Sequence, residues 1–377
     1  MTDPVHPPHQ SLFTPATIGN VDLANRVALS PMTRVSATAD GLPTDRMASY
    51  YRAFALGGFG LLITEGLYID DLTSQGYLFQ PGIANSSHAA AWRRVVDGVH
   101  DCGAKYFAQL MHAGSQSQGN PHTTTTWGPS AIRPKGEQLP MYRGSGPFQI
   151  PQAMTTEHID QVRSAFVNAA RQARDAGFDG VEIHGANGYL LDEFLTDYLN
   201  TRTDRYGGSV ANRVRLAAEV CHDVVSAVDG DIAVGIRISQ AKVSDNRHRW
   251  AGTEDDAAII FGTLADTGID YVHTTEYRAL APAFAESDKS LAQLAKQHSG
   301  LSIIANGHLD DPRDAAAIID SGAADVVALA KPALANRDWP HRVRSGQPLS
   351  PDVPRDVFGP VANIKDWEVA GADRKIG

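Results

Sequence analysis

Cysteine is nearly absent from this chain: only Cys102 and Cys221 occur in 377 residues. So few thiols exclude a cysteine-ligated iron–sulfur cluster and offer no disulfide framework. Both fall in segments of helical pattern, where they read as buried small apolar side chains. No stretch is long and apolar enough to span a bilayer, and the opening run Met1 to Gln10 has no apolar core of the kind a secretory leader carries. The expectation is a cytoplasmic protein without a membrane partner. Basic charge is also short, with 33 Lys and Arg against 43 Asp and Glu and a formal net charge of −10. That balance argues against nucleic acid as a general partner, because such binding is driven by neutralising phosphates.

What is present is a globular composition, 42% hydrophobic and 20% charged, with ample material for a core. The length allows two average domains or one α/β barrel with insertions. Short β-branched runs alternating with amphipathic segments decide for the barrel. Candidate strands are 26–32, 60–66, 104–112, 179–185, 232–239, 270–276, 302–307 and 324–330. Eight parallel strands close a (β/α)8 TIM barrel, so the expectation is one α/β domain over 1–377. Helical spacing is clear in Glu157 to Ala176, where Ile159, Val162, Phe166, Ala169, Ala170 and Ala173 recur, and in Val210 to Val228.

Two interruptions stand out. From about 119 to 153 the chain is rich in Gly, Pro and Thr and too long for an ordinary connection, which predicts a capping loop or hairpin over the end of the third strand. From 240 to 252 it carries Lys242, Arg247, His248 and Arg249, either a solvated loop or a contact for an anionic nicotinamide cofactor. The tail from about 347 to 377 lacks strong periodicity, and either folds across the barrel or mediates an oligomer contact.

The most informative run is Val181-Glu-Ile-His-Gly-Ala-Asn-Gly-Tyr-Leu190. An apolar strand stops at a turn-prone segment, so His184, Asn187 and Tyr189 sit at a rim where barrel enzymes do chemistry. Two hydrogen-bond donors and an acid together can polarise an oxygen and deliver a proton. Spacing alone leaves a structural role for each of them open. Arg237 is a second candidate, since an arginine pointing inward from an apolar strand is costly without an anionic partner.

The residues that follow, Leu191-Asp-Glu-Phe-Leu195 and Asn200-Thr-Arg-Thr-Asp-Arg-Tyr-Gly-Gly-Ser209 running into Asn212-Arg213, resemble the signature of the Old Yellow Enzyme family of flavin-dependent ene-reductases. Ser30-Pro-Met-Thr-Arg34, Thr64-Glu-Gly66, Gln109-Leu-Met-His-Ala-Gly114, Gly235-Ile-Arg-Ile-Ser239 and Ala305-Asn-Gly307 match in order, so the resemblance covers nearly the whole chain. It implies non-covalent FMN, with NAD(P)H as hydride donor. Arg237 then matches the cation at the flavin N1/O2 edge, Gln109 the amide partner of the pyrimidine ring, and Pro31, Met32 and Thr33 the segment beside the flavin. Gly66 would admit the ring close to the backbone. Asn306, Gly307, Ala330 and Lys331 fall at the usual barrel phosphate loops. Thr33 with a His/Asn pair resembles the founding branch, and Met111 stands where that branch has a bulky Trp facing the substrate. The two cysteines set the chain apart from larger cluster-bearing relatives. Ala330-Lys331 in place of Gly-Arg, and Ser115 in place of a common Arg, depart from the pattern and bear on FMN affinity.

By that resemblance the reaction reduces the activated C=C bond of α,β-unsaturated carbonyl or nitro compounds. His184 and Asn187 bind the substrate oxygen and Tyr189 protonates the α-carbon. The same residues also fit a flavin enzyme performing oxidation or double-bond isomerisation, while the barrel alone fits a flavin-free phosphate-binding lyase or isomerase or a non-catalytic flavin binder. The assembly is expected to be a monomer or homodimer.

Overall fold

In the computed structural model, which describes residues 9–370, eight parallel strands form a closed ring. They are β1 (Val27–Leu29), β2 (Leu61–Ile63), β3 (Lys105–Met111), β4 (Gly180–Asn187), β5 (Ala233–Lys242), β6 (Tyr271–Thr275), β7 (Ser302–Asn306) and β8 (Val326–Leu329). Each pairs with the next, and β8 pairs with β1 to complete the barrel. All eight fall where β-branched runs predicted them; β4 and β5 run past their expected ends, to 187 and 242.

Strand alternation sorts the side chains. Ala108, Leu110, Val181, Ile183, Val234, Ile236 and Ile238 point outward into a large apolar shell shared with the helices. Phe107, Tyr271, Ile304 and Val326 fill the interior with Ile18 and Leu23. Those last two belong to an N-terminal hairpin, Ala16–Ile18 paired with Val21–Leu23, which plugs the end where the strands begin. Fully burying one such aliphatic side chain contributes about 1.5–3 kcal/mol. The strands' C-terminal ends are left to carry the site.

Around the ring lie α1 (Asp45–Leu56), α2 (Ser86–His100), α3 (Thr156–Ala176), α4 (Arg215–Val228), α5 (Thr253–Ala265), α6 (Leu291–Ser299), α7 (Pro312–Asp320) and α8 (Trp339–Ser345). Thr155 and His158 form a capping box that starts α3, and Gly177 at φ +93° ends it. The helix expected over 210–228 is broken in two, with Val214 between Val210–Arg213 and α4. Cys221 is buried on α4 as expected, but Cys102 lies in the turn after α2 and is only half-buried, because α2 has already ended at His100.

The insertion over 119–153 is a loop with little regular structure. Trp127–Gly128 pairs with Gln152–Ala153, and a bridge between Glu137 and Pro147 draws the middle into a hairpin whose tip includes the turn Pro140–Tyr142. The tail crosses the barrel mouth. Its short helix Asp366–Val369 is anchored by Glu368, whose carboxylate takes both Arg34 Nη1 at 2.7 Å and Nη2 at 2.6 Å in a buried pair. Residues 1–8 and 371–377 lie outside the described residues.

Candidate active site

The expected site residues gather at the C-terminal ends of the strands. Pro31, Met32, Thr33, Gly66, Gln109, Met111, His184, Asn187, Tyr189 and Arg237 all line one cavity of about 300 Å³. Asn306, Gly307, Ala330 and Lys331 line a larger one of about 990 Å³. Arg237 joins the two, because its Nη2 donates to Asn306 Oδ1 at 3.1 Å and to Ser30 Oγ at 3.3 Å.

Asn187 owes its place to an unusual backbone. At φ +63° it is left-handed, and Gly188 follows at φ +88°. Three hydrogen bonds hold this strained turn: Asn187 N–H donates to Ser239 Oγ at 2.8 Å, while its carbonyl accepts Val243 N–H and Gln116 Nε2, each at 3.0 Å. Gly188 N–H donates to Asp192, which also forms a fully buried ion pair with Lys242 at 2.5 Å. Lys242 is therefore structural, and the basic loop expected over 240–252 begins as the end of β5. Its His248 Nδ1 lies 2.9 Å from the Gln240 carbonyl, which leaves Arg247 and Arg249 as its exposed cations.

His184 is buried, and its Nδ1 accepts the Ala186 N–H at 3.4 Å. Burial, reinforced by the charges of Arg237 and His273, holds the imidazole well below the ordinary histidine value. A neutral ring with Nδ1 as acceptor carries its proton on Nε2, a donor. The ring meets Tyr189 edge-on, with centroids 4.9 Å apart. Tyr189 is hydrogen-bonded to Tyr77 through their hydroxyls at 2.5 Å. Burial raises the Tyr189 phenol above its ordinary value, while the bond to Tyr77 and the charge of Arg237 oppose the rise. Tyr77 packs on Tyr142 with centroids 4.6 Å apart, and the Tyr142 hydroxyl reaches the Thr33 carbonyl at 3.4 Å.

Gln109 and Met111, two apart on β3, both enter the smaller cavity, as alternation requires. Met111 is packed from behind: a Cβ on Gly66 would collide with its sulfur, and Gln80 Nε2 lies 3.6 Å from Sδ. The space a Cβ would need at Gly66 is thus taken by Met111, while Gly66 itself still lines the cavity. At Gly307, with φ +137°, a side chain would strike the Glu276 carbonyl, so the protein's own backbone demands glycine there. Ser115 lines neither cavity. Its N–H and hydroxyl serve the buried Glu193 Oε1 at 2.8 and 2.5 Å, so this departure bears on the short helix Leu190–Leu195 after β4 rather than on a wall of either cavity.

These residues fit a flavin on one observation above others. Arg237 is buried, yet its Nε has no hydrogen-bond partner. Burial lowers the pKa of its guanidinium, but from a value so high that the charge persists. An unpaired buried N–H on a side chain that lines a cavity calls for an acceptor from a ligand. Asn306, exposed Lys331 and the Gly307 loop offer donors and charge around the larger cavity.

Sequence reasoning passed over Tyr77, Tyr142, Leu139, Met141, Val243 and Phe358, which complete the smaller cavity. They come from irregular segments with no motif to mark them. It also passed over Glu182 and His273, for which a signal existed: each is a charged or polar residue on the inward face of an apolar strand.

A family model, NADH:flavin oxidoreductase / NADH oxidase family, matches residues 11–350. The chain is 36% identical over 349 residues to 12-oxophytodienoate reductase 1 of Oryza sativa subsp. japonica, covering 90% of this chain and 87% of that protein. Among solved structures it is similar to the Old Yellow Enzyme homologue from Zymomonas mobilis, with a TM-score of 0.85, 31% identity, and 96% and 99% of the two chains covered. It is also similar to morphinone reductase in complex with tetrahydroNAD, with a TM-score of 0.80, 33% identity, and 92% and 94% covered. The chain belongs to the NADH:flavin oxidoreductase / NADH oxidase family, that of Old Yellow Enzyme, and is an FMN-containing enzyme that uses a nicotinamide hydride donor.

Proposed function

We propose that this enzyme is an ene-reductase that reduces the activated C=C bond of α,β-unsaturated carbonyl or nitro compounds with NAD(P)H. The observation that carries this reading is the convergence of His184, Asn187 and Tyr189 on the cavity that Gln109 and Arg237 also enter. Pro31, Met32, Thr33, Gly66, Gln109 and Arg237 would surround the ring of FMN, and Asn306, Gly307, Ala330 and Lys331 its phosphate end. FMN held there would supply the redox chemistry, a hydride relay from NAD(P)H to the alkene's β-carbon.

The protein's own groups do the rest. His184 Nε2–H and the Asn187 amide donate to the substrate's carbonyl or nitro oxygen and stabilise the negative charge that grows there. In a buried site one such donor is worth about 10²–10³ in rate. Tyr189 gives its hydroxyl proton to the α-carbon, and the bond to Tyr77 keeps that hydroxyl in place. The buried phenol is a weak acid, but the acceptor is a carbanion-like centre. Relatives whose names describe reduction of 12-oxophytodienoate and morphinone support an enone as the substrate class.

Tyr189→Phe tests the reading. It removes the proton and leaves the oxygen-binding pair, so reduction of the flavin by NADPH should survive while turnover of cyclohexenone falls by about 10²-fold or more. A nitroalkene, whose nitronate product is a stable anion, should lose far less. Equal loss on both acceptors would show Tyr189 to be structural.

A further inference from the structure

Two residues before His184, on the same inward face of β4, lies a carboxylate that neither cavity exposes. Glu182 is completely buried. A buried carboxylate is costly unless its oxygens are bonded, and here both are. Oε1 accepts Gln109 Nε2–H at 2.7 Å; Oε2 accepts His273 Nδ1–H at 2.7 Å, with the Tyr271 hydroxyl 3.5 Å away. Register builds the arrangement. Gln109 on β3 and Gly235 on β5 lie opposite Glu182, and His273 on β6 lies opposite Arg237. A side chain at 235 would strike the Tyr271 ring, so glycine makes the room.

Burial alone would raise the Glu182 carboxyl, but His273, the charge of Arg237 and the Gln109 bond more than offset it, and the group stays ionised. His273 is kept neutral chiefly by burial, and with Nδ1 given to Glu182 its Nε2 is a bare acceptor. One negative charge therefore sits beneath the two residues that the cofactor reading assigns to the flavin's pyrimidine edge.

We propose that Glu182 is a positioning residue for the flavin: it turns the Gln109 amide so that the carbonyl oxygen faces the cavity as an acceptor for a ring N–H, and it offsets part of the Arg237 charge there. The inference rests on the FMN assignment and adds two separable effects. Losing the bond frees the Gln109 amide and loosens FMN whatever its redox state. Losing the charge leaves Arg237 unopposed and favours reduced FMN, which carries more negative charge.

Two variants of the holoenzyme separate these. Glu182→Gln keeps the shape and removes the charge, and should favour reduced over oxidised FMN about tenfold, a two-electron midpoint potential about 30 mV more positive. Glu182→Asp keeps the charge but withdraws it from Gln109, and should weaken FMN binding several-fold with the potential near wild type. That loss should vanish in a Gln109→Ala background, since coupled residues are not additive. A wild-type potential in E182Q would overturn the electrostatic role. FMN binding in E182D that is unchanged, or whose loss adds in full to that of Q109A, would overturn the positioning role. If E182Q fails to fold, the E182D cycle decides the proposal alone. Wild-type protein that retains no FMN would instead overturn the cofactor assignment itself.

Discussion

At the residue scale the site depends on a few side chains held where they are costly. Arg237 is buried, and while its Nη2 is bonded to Asn306 and Ser30, its Nε has no protein acceptor. Arg237→Ala should weaken FMN retention and slow flavin reduction; stoichiometric FMN with wild-type reduction kinetics, measured by absorbance and stopped flow, would refute its assignment. Met111 governs room rather than charge. It enters the smaller cavity beside Gln109, in packing contact with the space over Gly66. Met111→Trp should slow bulky 2- or 3-substituted cyclic enones more than cyclohexenone and change the product enantiomer ratio, while NAD(P)H-driven flavin reduction persists. Unchanged size preference and stereochemistry in chiral product analysis would place Met111 outside substrate contact.

At the element scale the tail is part of the site although it begins beyond the last strand. Phe358 lines the smaller cavity, and the segment carrying it is pinned by the buried Arg34–Glu368 pair. Removing one partner of a buried ion pair leaves the other charge uncompensated, at a cost of about 3–5 kcal/mol. Glu368→Ala should therefore lower stability by about that amount and raise the KM for enones, because the wall that includes Phe358 loosens. A denaturation midpoint and KM both equal to wild type would show that the tail is held by other contacts. β4 and its following turn show the same dependence on distant chain: Lys242 of β5 and Gln116 of the β3 loop both hold the turn that aims Asn187.

At the scale of the whole molecule, the barrel closes one end with its hairpin and keeps cavities of about 300 and 990 Å³ at the other. A ligand that fills them binds only the folded chain, and adds about 2.7 kcal/mol when present at 100 times its dissociation constant. Stripping FMN should lower the thermal midpoint, and adding FMN back should restore it in a concentration-dependent way. Apo and holo protein melting together would mean that FMN does not bind the native barrel.

The sequence by itself determined the eight strands, because β-branched runs and their turns are local and eight parallel repeats admit one closed architecture. It also marked His184, Asn187, Tyr189 and Arg237 as polar groups at strand ends, though position alone left a structural role open for the first three, and Gln109 stood out only through the family resemblance. Helix ends were less readable: Cys102 fell outside α2, and Val214 broke a periodic run, because capping and packing decide a boundary that periodicity leaves open. Only the tertiary structure decided the rest of the cavity. Tyr77, Tyr142 and Phe358 arrive on three irregular segments whose meeting depends on side chains far apart in the chain. Lys242 was readable as a basic loop residue until β5 ran long enough to bury it against Asp192. The partnership of Glu182 with Gln109 and His273 needed the register of three neighbouring strands, which no local pattern encodes.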